Sequence, residues 1–163
     1  MPAEIEEIVI PREKAVFRMD ARGRWHNEHG LFEHPKIIAY FNANIRRDEG
    51  GYYLSQEING HLEKVYFPYA DTALFAVDLL GPENADLLLN TGLRVPLAAD
   101  RLAMRGDVLY QLMGDDDRHG DRIRFSERCL LKLADRIVET DGGYCFDGPG
   151  GRHPILELSE GDA

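Results

Sequence analysis

Two stretches of this chain echo one another at a constant spacing of 92 residues, and the echo restricts the available folds more than any other feature. The first runs from His34 to Arg47, carries Ile37, Ile38, Phe41 and Ile45, and passes through Gly50-Gly51 into Tyr52-Tyr53-Leu54. The second runs from Ser126 to Glu139, carries Cys129, Leu130, Leu133 and Ile137, and passes through Gly142-Gly143 into Tyr144-Cys145-Phe146. Apolar residues at i, i+1, i+4 and i+8 make one face of a helix, and a glycine pair behind such a stripe reads as a helix stop. The spacing therefore predicts helices over about 35–47 and 127–139. Pro35 suits the first helical position, with His34 as a weak cap, whereas Ser126 is a good cap.

The segments between the helices read as strands. Ile8-Val9-Ile10 is a candidate edge strand that Pro11 stops. Ala15 to Met19 and Arg24 to His26 form a hairpin across Asp20 to Gly23, and Asn27 to Gly30 makes a second turn before Leu31-Phe32 leads into the helix. Tyr52 to Ile58 and His61 to Phe67 meet at Asn59-Gly60, the strongest short hairpin signal. Thr72 to Leu80 reads as a third strand, buried on both faces. In the second half the succession of strands, glycine turns, helix, Gly-Gly and strand resembles the first. The expected class is α+β: two related units, 1–80 and 81–163, each a small antiparallel sheet with one amphipathic helix packed on it. Packing of the two units against one another, or a homodimer, would cover the apolar surface left over.

Composition narrows the partners. Hydrophobic residues make up 44% and charged residues 29% of 163, enough for a packed core. The formal net charge of −10 repels phosphate backbones and anionic lipid, so neither nucleic acid nor membrane is expected. Cys129 and Cys145 make no disulfide framework and point to a reducing compartment, and Cys129, aligned with Ile37, reads as a small core residue. Glu4, Glu6, Glu7, Pro2 and Pro11 at the N-terminus fit neither a signal nor a transit peptide. Cytoplasmic localisation is the expectation.

Four groups of residues could carry chemistry. His26, Glu28, His29, Glu33 and His34 offer imidazole and carboxylate ligands around one turn, but their spacing matches no named metal pattern. A helix cap for His34 and solvated charge for the others is the plainer reading, so no metal or cofactor is expected. Asp115 to Asp121 resembles the opening of a calcium loop that then offers Ser126 where the bidentate glutamate belongs. Gly148-Pro149-Gly150-Gly151 with Arg152 and His153 could hold an anion, although such a run also suits a plain turn. No serine lies in a nucleophile elbow, so an enzyme is the minority expectation: metal-dependent or hydrolytic, using His26, His29 and nearby carboxylates. Finally, Trp25, Tyr52, Tyr53, Tyr66, Phe67 and Tyr69 are too many aromatics for one face of two strands; they either wall the core or border a groove for a small molecule or partner segment.

Gly23-x-Trp25, Pro35, Phe41, Arg46-Arg47, Gly51-Tyr52-Tyr53-Leu54, Glu63-Lys64-Val65 and Asp71 resemble, in order and approximate spacing, the bacterial family called domain of unknown function 1285. The likeness spans about residues 20–80; Asn90-Thr91, Arg105-Gly106 and Gly142-Gly143 with Phe146 are faintly similar to the family's second half, which here lacks a tryptophan on the Gly-Gly strand. The resemblance implies a small protein with repeated structural motifs and a conjectured role in signalling or ligand binding. It points to Trp25, Tyr52, Tyr53, Glu63 and Lys64, to which the aromatic pattern adds Tyr66, as ligand-binding candidates. The expectation is a ligand-binding or regulatory module whose two units form a cleft for a small molecule or protein segment; an enzyme and a structural homodimer without small ligand are the alternatives.

Overall fold

Short runs of alternating apolar and polar residues, punctuated by glycine, produce a chain in which strand far outweighs helix. The computed structural model describes residues 6–113 and 121–159. Six of the seven residues of the acidic Asp115–Asp121 run lie outside the described residues. The chain divides into two compact units, Met1–Ala73 and Leu74–Ala163. Among the described residues no helix is long and apolar enough to cross a membrane.

The first unit holds β1 (Glu7–Ile10), β2 (Phe17–Met19), β3 (Trp25–Asn27), β4 (Gly30–Leu31), α1 (Pro35–Ala43), β5 (Ile45–Asp48), β6 (Gly51–Ile58) and β7 (His61–Tyr66). One sheet has the order β1-β7-β6-β5 and the other β2-β3-β4. Asn59 and Gly60 take the left-handed conformations, φ 51° and 80°, that their two-residue hairpin demands. Met19 joins the chain behind β7: its amide donates to Pro68 O, and its carbonyl accepts from Ala70 N. Behind these sheets Phe17, Met19, Trp25, Ile45, Tyr52, Leu54, Val65 and Phe67 form the core.

The second unit holds β8 (Leu74–Leu80), β9 (Asp86–Leu89), β10 (Arg94–Pro96), β11 (Leu102–Arg105), β12 (Val108–Met113), β13 (Asp121–Phe125), α2 (Glu127–Leu133), β14 (Ile137–Thr140), β15 (Gly143–Gly148), β16 (Gly151–Pro154) and β17 (Leu156–Glu157). Its larger sheet has the order β10-β9-β8-β13-β12-β11-β17 and its smaller one β14-β15-β16. Leu79, Leu87, Leu102, Leu109, Ile123 and Phe125 build the core, which Cys129 and Leu133 of α2 close.

Three expectations need correction. The sheets are mixed, not purely antiparallel: β1 pairs with β7, β13 with β8, and β11 with β17 in parallel. The strand Leu74–Leu80, expected as a third strand after the Asn59-Gly60 hairpin, instead belongs to the second unit's sheet, where β9 and β13 flank it. Both helices end early. Asn44 terminates α1 by returning its side-chain amide to Tyr40 O at 2.7 Å, and Ile45 to Asp48 then leave as a strand. A lone Ile45 fits a helix stripe and a strand face equally well, so periodicity could not decide. Glu49-Gly50 is accordingly a hairpin turn, with Gly51 opening β6, and the glycine pair is not a helix stop. Arg46 still serves the helix end, donating to Ala43 O at 3.0 Å.

Candidate functional site

Strand alternation sorts the six ligand-binding candidates before any chemistry is considered, because residues two apart share a face. Trp25 is core: 1% exposed, it meets Phe17, Phe41 and Phe67 with ring centroids 5.7, 5.2 and 4.8 Å away. Its indole N–H donates to Asn42 Oδ1 at 2.8 Å and so ties α1 to the core. Tyr52 points inward against Tyr69, and Glu63 takes that same side of the sheet, accepting from Gln56 Nε2 at 3.4 Å. Tyr53, Lys64 and Tyr66 share the opposite side.

On that side they do meet, around Asp48. Lys64 Nζ donates to Asp48 Oδ2 at 2.6 Å, and the Tyr66 hydroxyl donates to the same carboxylate at 2.7 Å. Lys64 also lies 4.4 Å from the centre of the Tyr53 ring. Gly50 makes the room: a Cβ there would stand 2.9 Å from the Tyr66 ring. The ammonium of Lys64 lowers the Asp48 carboxyl, while Asp48 raises both the Lys64 ammonium and the Tyr66 hydroxyl. Each group is driven further from neutral pH, the reverse of what proton transfer requires. The cluster locks the turn between β5 and β6 rather than offering acid–base chemistry.

The histidine group divides: His26 and Glu28 line one hollow, and His29, Glu33 and His34 another. His26 Nε2 sits 2.8 Å from Asp20 Oδ2. Burial pushes the Asp20 carboxyl up, but hydrogen bonds from His26, from the Arg24 and Arg22 amides and from the Arg24 guanidinium outweigh it and hold the group far below the usual range. The His29 ring lies 3.4 Å from Glu28 on the surface. His34 caps α1 without a side-chain hydrogen bond. Among the described residues no three His, Cys, Asp or Glu side chains converge as metal ligands would. In the Gly148–Gly151 turn, Arg152 is engaged by Asp147 at 2.8 Å.

What the sequence reading passed over is a groove between β4 and α1. It encloses about 430 Å³ and is lined by Leu31, Phe32, Ile37 and Phe41, with Asn27, His29, Glu33 and His34 around them. Phe41 belongs to groove and core alike, packing edge-on against Phe32, Trp25 and Phe17. Nothing in α1 is fully buried, and Ile37 is 45% exposed. The signal for this groove was present: an apolar pair, Leu31-Phe32, set just ahead of a helix whose apolar stripe starts at Ile37. It read as a lead-in because sequence does not say which side of the stripe the core would occupy. His26 lies outside this groove and lines a smaller hollow of about 230 Å³ with Val16, Arg18 and Pro68.

No family model matches the chain, and no curated protein matches it. Solved structures do. A DUF1285 family protein from Silicibacter pomeroyi shares 18% identity with a TM-score of 0.61, over 93% of this chain and 84% of that one. A second, from Shewanella baltica, shares 16% identity with a TM-score of 0.51, over 76% of this chain and 93% of that one. Identities this low speak to architecture alone, and on architecture the result is plain: this chain has the fold of the DUF1285 family proteins.

Proposed function

We propose that the protein is a ligand-binding, regulatory module whose site is the groove of the first unit between β4 and α1. One observation carries this reading: an open apolar floor of Leu31, Phe32, Ile37 and Phe41, of a volume within the range of small-molecule sites, is bordered by a few polar side chains able to orient a ligand. The floor is held from below, where Trp25 grips both Phe41 and Asn42, so the groove is pre-formed. Occupancy would be read out through α1, which forms one wall. The matching hairpin registers at the 92-residue spacing, Ile45 to Leu54 and Ile137 to Phe146, support treating the two units as related, with the first having kept its helix open.

The test is mass spectrometry of small molecules released on denaturing the purified protein, run beside Ile37→Trp, whose indole fills the groove from an already half-exposed position. A molecule enriched with the wild-type protein and lost from a variant of unchanged melting temperature is the expected result. Equal recovery from both proteins would remove the groove as the site.

A further inference from the structure

Resting on that groove, we propose that its ligands are organic cations: molecules with a flat apolar body and an ammonium group that meets Glu33. Of the eight lining residues, Glu33 is the one Asp, Glu, Lys or Arg. Neither Glu28 nor Asp20 lines the groove, and Asp20 is taken up by Arg24 and His26. Glu33 has neither hydrogen-bond nor ion-pair partner among the described residues. Lys36, one position before Ile37 in α1, is not among the lining residues.

Two further features act in the same direction. Phe32 and Phe41 stand edge to face with centroids 5.2 Å apart, offering ring density to a cation seated beside them. The formal net charge of −10 draws cations toward the surface and repels anions. Two features oppose them. His29 and His34 also line the groove and can donate ring N–H groups to an anion. The N-terminus of α1 lies at His34, and the positive end of a helix favours an anion. Glu33, directly before the cap, supplies a negative charge at that end and leaves its carboxylate to be shared with a ligand ammonium.

Three probes on one scaffold separate the possibilities: tryptamine, tryptophol and indole-3-acetate, cationic, neutral and anionic respectively, titrated by calorimetry into the full chain. Tryptamine should bind roughly tenfold tighter than tryptophol, as expected for one hydrogen bond to a charged acceptor at an open site, and indole-3-acetate weakest. Glu33→Gln should bring tryptamine to the level of tryptophol and leave tryptophol unchanged; Ile37→Trp should abolish both. Equal binding of tryptamine and tryptophol, or no effect of Glu33→Gln, overturns the cation inference while the groove stands if Ile37→Trp still abolishes binding. Tightest binding of indole-3-acetate would overturn it in favour of the helix N-terminus. Absence of binding by all three overturns the inference and counts against the groove itself.

Discussion

Helices α1 and α2 stand 92 residues apart and deliver the chain into hairpins of the same register, yet one lies half in solvent and the other closes a core. Arg47 opposite Tyr52 and Asp48 opposite Gly51 in the first unit become Glu139 opposite Tyr144 and Thr140 opposite Gly143 in the second. At the helices the likeness stops. Cys129 and Leu133 are fully buried, with the Cys129 thiol donating to Ala76 O at 3.3 Å, whereas Ile37, at the place of Cys129, is 45% exposed. Helix α2 is pinned to its sheet: Ser126 N donates to Ala76 O, and Lys132 and Arg128 reach Asp78 at 2.6 and 3.2 Å. Helix α1 is held chiefly through Phe41 and the Trp25–Asn42 hydrogen bond. The apolar stripe of α2 thus serves as core, and that of α1 as the wall of an open groove.

Substitution at the two helices tests this difference most strongly. Leu133→Ala removes a fully buried side chain and is expected to cost about 2–5 kcal/mol, whereas Ile37→Ala should cost under about 1 kcal/mol, as at other half-exposed positions. Denaturant titration of both variants checks this, and equal losses would erase the distinction between the helices.

The turns behind the helices come next. A Cβ at Gly50 would strike the Tyr66 ring at 2.9 Å, but one at Gly142 would find nothing within 4 Å. Gly50→Ala should therefore destabilise by about 1–3 kcal/mol through overpacking, and Gly142→Ala should be neutral or stabilising by up to about 1 kcal/mol through the unfolded chain. Melting temperatures that move together would show that the Asp48–Lys64–Tyr66 lock does not set the first turn apart.

Smaller effects follow at the caps. Ser126 Oγ accepts from Cys129 N at 3.3 Å, and His34 makes no such bond. Ser126→Ala is expected to cost about 1 kcal/mol and His34→Ala close to nothing, read by the same titrations.

The smallest effect is electrostatic. Lys132, the Leu79 amide and Arg128 bring the Asp78 carboxyl from 3.8 down to about 2, and Asp48 is lowered by Lys64. A carboxyl held lower in the folded chain than in the unfolded one adds stability above its unfolded value, and that contribution is lost as pH falls through the folded value. Stability should thus decline from about pH 4 toward pH 2, with Asp78→Asn flattening part of the slope. A melting curve in which Asp78→Asn and wild type run parallel over that window would contradict the pairing.

Much of the architecture was legible in the sequence for local reasons. Asn59-Gly60 announced its hairpin because few residues adopt consecutive left-handed conformations, Pro11 closed the edge strand Glu7–Ile10 because it cannot extend a ladder, and Ser126 marked its helix because a hydroxyl can satisfy an orphan amide. The candidate site was less legible. Tyr52, Tyr53, Glu63, Lys64 and Tyr66 are near neighbours in sequence, yet alternation along β6 and β7 separates them into inner and outer faces, while Trp25 on β3 is core. His29 and Glu33 were singled out as possible metal ligands; Glu33 instead borders an apolar groove.

By itself the sequence determined most of the turns, where each helix starts and the Asn59-Gly60 hairpin, since these depend on contacts between residues close along the chain; where each helix gives way to the strand behind it was not fixed locally. Tertiary structure alone decided that Leu74–Leu80 joins the later sheet, that β1, β13 and β17 pair in parallel, and that the stripe of α2 is sealed while that of α1 lies open. Those outcomes depend on which distant surface each apolar face meets, and a periodic pattern names the face without naming its partner.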